Sequence, residues 1–111
     1  MLIDFKNIAE EIIPNMRGGE KEVAVKAFND GSNKIMYGKL IPGATIGLHT
    51  HEGNSEVIYI LEGAGKVLDD GAYYPVAAGD CLYCPEGHSH SLINSSEADL
   101  RFFAVVAEHH L

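Results

Sequence analysis

The chain lacks the long apolar runs of a membrane protein. None of its hydrophobic stretches approaches the roughly 20 residues that cross a bilayer, and its mean hydropathy is -0.02. The start, MLIDFKNIAEEII, carries acidic residues where a secretory signal would carry positive charge. We therefore expect a cytoplasmic protein that does not reside in a membrane.

Positive charge and cysteine are both scarce. The 111 residues include 8 lysines and arginines against 16 acidic residues, for a formal charge of -8, and the only arginines are Arg17 and Arg101. Such a field repels phosphate backbones, which argues against nucleic-acid binding. Two cysteines make no disulfide framework. Cys81 and Cys84 form a CxxC on a predicted strand, where residues three apart face opposite ways, so a redox pair is not expected.

No linker, repeat or low-complexity tract divides the sequence, which indicates one domain. Residues 7–13, ended by Pro14, are predicted to form one or two helical turns. After them come short apolar runs separated by turn residues: EVAVKAF, KIMYGKLI, ATIGLHTH, EVIYILEG, AGKVL, AYYPV, DCLYCP, HSLIN and DLRFFAVVA. About nine strands with short connections predict an all-β sandwich or barrel with antiparallel neighbours.

Two histidines stand one residue apart near the middle of the chain. On a strand, His49 and His51 project to the same face, with Cα atoms roughly 6.5 to 7 Å apart. The small Thr45 and Gly47 share that face and are expected to leave open volume beside the imidazoles. The EGN break that follows can return the chain antiparallel and bring Glu56 opposite the pair. Two imidazoles and a carboxylate on one wall are typical of a transition-metal site.

A fourth ligand is available further along. Proline and glycine in CPEGHSH predict a tight turn, and the next strand presents His88 and His90 at a period of two. The local pattern does not choose between them.

Two segments have a recognisable spacing. Gly43 to Gly63 reads G-x5-HxH-x4-E-x6-G, and Gly79 to Asn94 reads G-x5-PxG-x2-H-x3-N. Together they resemble both signature motifs of the cupin superfamily, with every defining position filled. The resemblance implies a small cupin of the conserved-barrel type, which is a double-stranded β-helix or jelly-roll barrel. On this basis residues 1–20 would pack on a barrel formed by residues 21–107.

The resemblance also implies a ligand set and a cofactor. The matching positions are His49, His51, Glu56 and His90, so the second motif selects His90 over His88. They would hold one divalent transition ion, which could be manganese, iron, nickel, cobalt, copper or zinc. The inner pocket would be lined by five residues on the inward faces of the strands: Ile58, Ile60, Leu82, Cys84 and Phe102. For Cys84 and Phe102, core packing is the more ordinary role.

The strand that begins at Glu56 is apolar on both faces. Its outward side carries Val57, Tyr59 and Leu61, so something should cover it. The cover is either the N-terminal segment, through Ile3, Phe5, Ile8 and Ile12, or a second subunit. Because similar cupins commonly pair through such a sheet, we favour a homodimer.

Two functions from different classes fit these features. The first is a metal-dependent enzyme of the isomerase, lyase or dioxygenase type, which acts on a small oxygen-bearing organic molecule. The second is a module that binds or senses metal and a small ligand without turnover. Catalysis would be favoured if a further acid or base lay beside the ion, and the candidates are His88, Tyr37 and Lys39.

Overall fold

The protein was analysed as a computed structural model, which describes residues 1–109. Two 3-10 turns, Phe5–Asn7 and Met16–Gly18, accompany ten strands. The strands are β1 (Glu11–Pro14), β2 (Glu22–Asn29), β3 (Asn33–Leu40), β4 (His49–Thr50), β5 (Asn54–Glu62), β6 (Ala64–Asp69), β7 (Ala72–Ala77), β8 (Cys81–Cys84), β9 (Ser89–Ile93) and β10 (Leu100–Glu108).

The strands form two facing sheets. One has six strands in the order β1-β2-β3-β10-β5-β8, and the other has four in the order β4-β9-β6-β7. Every ladder is antiparallel, as the short connections predict. The all-β jelly-roll barrel is therefore confirmed, and nine of the ten strands correspond to the nine apolar runs of the sequence.

The N-terminal segment differs from its prediction. Instead of helical turns over 7–13, Glu11–Pro14 forms strand β1 and pairs with β2. The consecutive β-branched Ile12 and Ile13 favour extended backbone. Pro14 is tolerated because β1 lies at the edge of its sheet, where a missing backbone donor leaves no ladder bond unmade. The run ATIGLHTH is also less regular than predicted, with only His49–Thr50 in β4 and one isolated bridge from Thr45.

The barrel interior has two unlike ends. At the closed end, Leu40, Ile60 and Leu100 are fully buried against one another's strands. Asn94, equally buried, donates to the carbonyls of Leu40 and Ala98 and so ties β9 to β3 without an unsatisfied polar atom. At the open end, where β5 begins and β10 finishes, polar side chains replace the apolar filling.

The outer face of β5 is exposed, although it is apolar. Val57, Tyr59 and Leu61 are 41%, 43% and 42% exposed. The N-terminal segment does not cover them, because the ring of Phe5 packs instead beside those of Tyr37 and Phe103. Among residues 1–109, no helix has the length and hydropathy needed to span a membrane.

Candidate metal centre

Three strands and one loop bring the predicted ligands together at the open end. His49 on β4 lies directly opposite His90 on β9 in the ladder of the smaller sheet. His51 follows β4, and Glu56 enters from β5 in the larger sheet. His51, Glu56 and His90 are buried and His49 is half-buried. One ligand atom from each of the four lies within 4.8 Å of the others.

The distances between these atoms fit a shared ion. The Nε2 atom of His51 is 2.9 Å from that of His90 and 3.2 Å from that of His49. The Oε1 atom of Glu56 is 2.9 Å from His90 Nε2 and 3.1 Å from His51 Nε2. Ligands held about 2.1 Å from an ion and meeting at right angles are about 3.0 Å apart. His51, Glu56 and His90 are therefore spaced as an ion would require, and His49 lies further out, with its Nε2 3.9 Å from Glu56 Oε1.

The outer ring nitrogens fix which atoms face the centre. His49 Nδ1 donates to the carbonyl of Gly47 at 2.8 Å, and His51 Nδ1 donates to Asn54 Oδ1 at 2.6 Å. A neutral imidazole protonated at Nδ1 has its lone pair at Nε2. Lone pairs thus converge on a carboxylate, an arrangement that repels itself unless a cation or extra protons lie between the groups.

The pKa values reflect this crowding. Burial pushes the pKa of Glu56 up, but hydrogen bonds from His51 and His90 lower it to about 2, so the carboxylate is ionised. The pKa of His51 is raised, chiefly because Glu56 accepts its hydrogen bond, whereas burial lowers the pKa of His49. Three neutral imidazoles and one carboxylate would leave a divalent ion with a net charge of about +1.

A cavity of about 260 Å³ opens onto this cluster. Its wall includes the ligands His49, His51 and Glu56, together with residues of β2, β3 and β10 and of the Met16–Gly18 turn. Phe102 on β10 lines it as predicted. The ring of Phe102 can lie there because Gly38 faces it: a Cβ at Gly38 would be 2.3 Å from the ring.

The other predicted pocket residues lie elsewhere. Ile58, Ile60, Leu82 and Cys84 are buried, but they are not part of the cavity wall. The cavity opens between β2, β3 and β10, whereas β5 and β8, which carry these four residues, run from Glu56 into the filled closed end. Burial raises the pKa of the Cys84 thiol to about 11, which makes it an unreactive core residue.

The three candidate acids and bases also lie outside the cavity. Tyr37 and Lys39 occupy the outward face of β3, because its buried positions are the alternate ones that include Met36 and Gly38. His88 is exposed, and its Nδ1 pairs with the carboxylate of Asp70. Its role as an acid or base beside the ion is therefore not supported by its position.

The polar residues of the cavity wall that sequence reasoning missed include Arg17, Lys34, Asn54 and Glu108. Strand parity could have found two of them, since Asn54 shares a face with Glu56, and Glu108 shares one with Phe102. Arg17 comes from an irregular turn that no periodicity predicts. The expected open volume at Gly47 is absent, because the carbonyl oxygen of Arg17 would be 2.1 Å from a Cβ there.

Comparison with known proteins agrees with this geometry. Residues 36–106 match the family model described as Cupin domain. An oxalate-binding protein of Thermotoga maritima is 39% identical over an alignment of 112 positions, which covers 96% of this chain and 93% of the relative.

Solved structures give the same fold. The crystal structure of a predicted oxalate decarboxylase from Thermotoga maritima superposes with a TM-score of 0.91 at 38% identity, covering 97% of this chain and 99% of that one. A putative sugar phosphate isomerase from Acidithiobacillus ferrooxidans gives a TM-score of 0.81 at 21% identity over 97% of this chain and 74% of that one, a likeness of fold alone. The two signature motifs, the jelly-roll barrel and the family match together show that the chain belongs to the cupin family.

Proposed function

We propose that the chain binds one divalent transition ion through His49, His51, Glu56 and His90 and uses it to hold a small carboxylate-bearing molecule. The observation that carries the proposal is the convergence of imidazole lone pairs on one carboxylate. The hydrogen bonds from the outer nitrogens of His49 and His51 support the proposal, because they aim the Nε2 atoms of both rings at the centre, where a neutral imidazole offers a lone pair to a cation.

The donor set indicates the kind of ion. Imidazole nitrogen suits manganese, iron, cobalt, nickel, copper and zinc, whereas calcium and magnesium prefer oxygen alone. An octahedral ion with four protein ligands has two positions left for a ligand. When bound, such an ion supplies a positive centre that polarises and orients an oxygen-bearing molecule.

A dicarboxylate of the oxalate class fits this site. The cavity of about 260 Å³ is small, and an ion of net charge about +1 attracts an anion with two adjacent oxygen donors. A relative of 39% identity over nearly the whole chain bears the name oxalate-binding protein. Binding, rather than turnover, is the function proposed first, because His88, Tyr37 and Lys39 lie outside the cavity.

Turnover is the second candidate, and Glu108 favours it. This carboxylate lies in the cavity wall, and Asn54 connects it to His51 by hydrogen bonds at 3.4 and 2.6 Å. Cleavage of the oxalate carbon–carbon bond releases carbon dioxide, and the remaining carbon takes up one proton to give formate. Glu108 would hold that proton. A lyase reaction of this kind needs a proton carrier beside the ligand.

The test compares ion content and ligand binding. Protein prepared without chelator is expected to contain about one transition ion per chain, and after manganese loading it should bind oxalate in a calorimeter. The double variant His49→Ala, His51→Ala should lose both properties. His88→Ala is the matched control, since it removes an exposed histidine outside the cavity, and it should keep both.

The outcomes separate the candidates. A wild-type protein that takes up no ion, even after loading, would contradict the metal centre itself. Ion uptake without oxalate binding would contradict the proposed ligand class. Formate that accumulates with wild type and not with Glu108→Gln would move the assignment from binding to catalysis.

We also propose that the outer face of β5 pairs two copies of the chain. Val57, Tyr59 and Leu61 are exposed on it, and the exposed Tyr83 lies next to Val57 on β8. A contiguous apolar patch of this kind is typical of a protein interface. A cytoplasmic location remains a prediction from the sequence.

Sedimentation tests the pairing. Tyr59→Glu places a charge in the patch and should convert a dimer into a monomer. Tyr73→Glu is the control, because Tyr73 is also exposed but lies on β7 of the other sheet. A Tyr59→Glu protein that sediments as a dimer would place the contact elsewhere.

A further inference from the structure

The two arginines of the chain are placed very differently. Arg101 lies on β10, and its Nε pairs with Glu62 Oε2 at 3.1 Å. Arg17 lies in the wall of the cavity that opens onto the metal cluster. Within residues 1–109, no hydrogen bond or ion pair is assigned to its side chain, although the chain has 16 acidic residues against 8 lysines and arginines.

The backbone around Arg17 is held in an uncommon conformation. Asn15 and Arg17 have left-handed φ values of 50° and 55°, and Gly18 follows at 79°. Residues with side chains rarely adopt this region, and such conformations persist where the surrounding structure enforces them. Here the amide of Gly47 donates to the carbonyl of Met16 at 2.9 Å, and Asn15 Nδ2 donates to the carbonyl of Gly19 at 3.0 Å.

Gly47 connects the turn to the metal cluster. A Cβ at Gly47 would be 2.1 Å from the carbonyl oxygen of Arg17, so only glycine allows the two backbones to lie this close. The carbonyl of Gly47 in turn accepts the Nδ1 proton of His49. The backbone of Arg17 is therefore fixed relative to a ligand side chain, so the exposed arginine side chain starts from a fixed point in the cavity wall.

Arg17 lies in the wall of the same cavity as the ligands His49, His51 and Glu56. Lys34, the other cation of the cavity wall, likewise has no ion pair or hydrogen bond assigned to its ammonium group among the described residues. An otherwise acidic protein thus presents two uncompensated cations to the space in front of the ion.

We propose that Arg17 determines specificity by binding the carboxylate oxygens of a dianionic ligand that are not bound to the ion. This inference rests on the proposed function and names its substrate class as dicarboxylates rather than monocarboxylates. A guanidinium suits the task because its paired N–H donors match the two oxygens of a carboxylate. The turn Met16–Gly18 brings this arginine to the wall of the cavity that His49 and His51 also line.

Two ligands of similar size test the assignment. Oxalate and glycolate both chelate an ion through two oxygens, but oxalate is a dianion and glycolate a monoanion. With manganese-loaded protein, Arg17→Gln should weaken oxalate binding about 10- to 100-fold, as expected for loss of a charged hydrogen bond. Glycolate affinity should change less, by about threefold at most, since a chelated glycolate leaves one carboxylate oxygen off the ion where oxalate leaves two, and carries one negative charge fewer. Arg17→Lys should restore part of the oxalate affinity.

Arg101→Gln is the matched control, because it removes the same charge from the ion-paired arginine on β10. It should leave both affinities unchanged, and all variants should hold as much manganese as wild type. Unchanged oxalate affinity in Arg17→Gln overturns the inference while the proposed function stands. Equal losses for both ligands, an equal loss in Arg101→Gln, or a lower manganese content also overturns it. A wild-type protein that binds neither ligand contradicts the proposed function instead.

Discussion

The closed and open ends of the barrel interior are formed by the same strands but differ in what fills them. At the closed end, Leu40, Ile60 and Leu100 are fully buried, and the polar Asn94 has its bonds satisfied by backbone carbonyls. At the open end, buried histidines face Glu56 beside a cavity. Packing completes the closed end by itself, whereas the open end gathers four side chains that could hold a metal ion.

The change from one end to the other occurs along single strands. On β5, three successive inward positions hold the predicted ligand Glu56 and then the core residues Ile58 and Ile60. On β10, the buried Leu100 begins the strand, and the half-buried Val106 lies near its finish in the cavity wall. Stability and ligand binding should therefore respond separately to substitutions on one strand.

The largest expected effect tests the closed end. Leu100→Ala removes a fully buried side chain from a filled region and should lower the free energy of unfolding by about 3 kcal/mol, within the usual range for Leu-to-Ala changes in cores. Val106→Ala, on the same strand but in the cavity wall, should cost about 1 kcal/mol or less. Urea denaturation of the metal-free proteins measures both. Equal costs at the two positions would show that the open end is as tightly packed as the closed one.

Strand periodicity predicted this fold well and the division between its ends poorly. The alternation of apolar residues defined nine strands and their inward faces, and the motif spacing identified the side chains that the structure gathers at the open end. Periodicity states which face a residue occupies, but not how far along the barrel axis the filling ends. The parity of Ile58 and Ile60 predicts an inward position, and in the structure both are buried outside the cavity wall.

Arg17 escaped prediction for a different reason. Its position depends on left-handed backbone and on contact with Gly47, which is distant in sequence. No local pattern encodes such a contact. The glycine was noticed beside the histidines, but only the folded chain shows that a carbonyl, rather than empty space, occupies the volume its missing side chain leaves.

The second prediction concerns how the affinity of the open end for an ion depends on pH. The pKa of His51 is raised from its ordinary 6.5, chiefly by the hydrogen bond to Glu56, so below that pKa its proton competes with an ion. Glu56, with a pKa of about 2, stays ionised. Ion affinity should therefore fall as pH decreases from 7.5 to 5.5, by about tenfold per pH unit for each proton taken up, equal to about 1.4 kcal/mol.

Dialysis against manganese at several pH values, followed by metal analysis, measures this loss. Circular dichroism is the control, because the packing of the closed end contains no histidine and the strand signal should persist over the same range. Full retention of manganese at pH 4 would indicate that the histidines are not its ligands.

The smallest expected effect lies at the boundary between the two ends. Cys84 pairs with Glu56 across the β5–β8 ladder, yet it is buried, and burial raises its pKa to about 11. If it belongs to the core, Cys84→Ala should cost about 1 kcal/mol or less and leave manganese binding intact, because a buried thiol acts as a small hydrophobic group. Cys84→Ser should cost more, since it places a hydroxyl among apolar neighbours.

Urea denaturation of the two variants decides on which side of the boundary the thiol lies. A serine that is tolerated better than alanine would mean that position 84 faces the wet cavity, and the open end would then extend past Glu56 into β8. Iodoacetamide gives an independent reading: it should modify the exposed Cys81 in the native protein and reach Cys84 only after unfolding. Glu56 and Cys84 are direct neighbours across the β5–β8 ladder. If the thiol of Cys84 is inaccessible to water, the solvated part of the barrel interior therefore ends at Glu56 on this side.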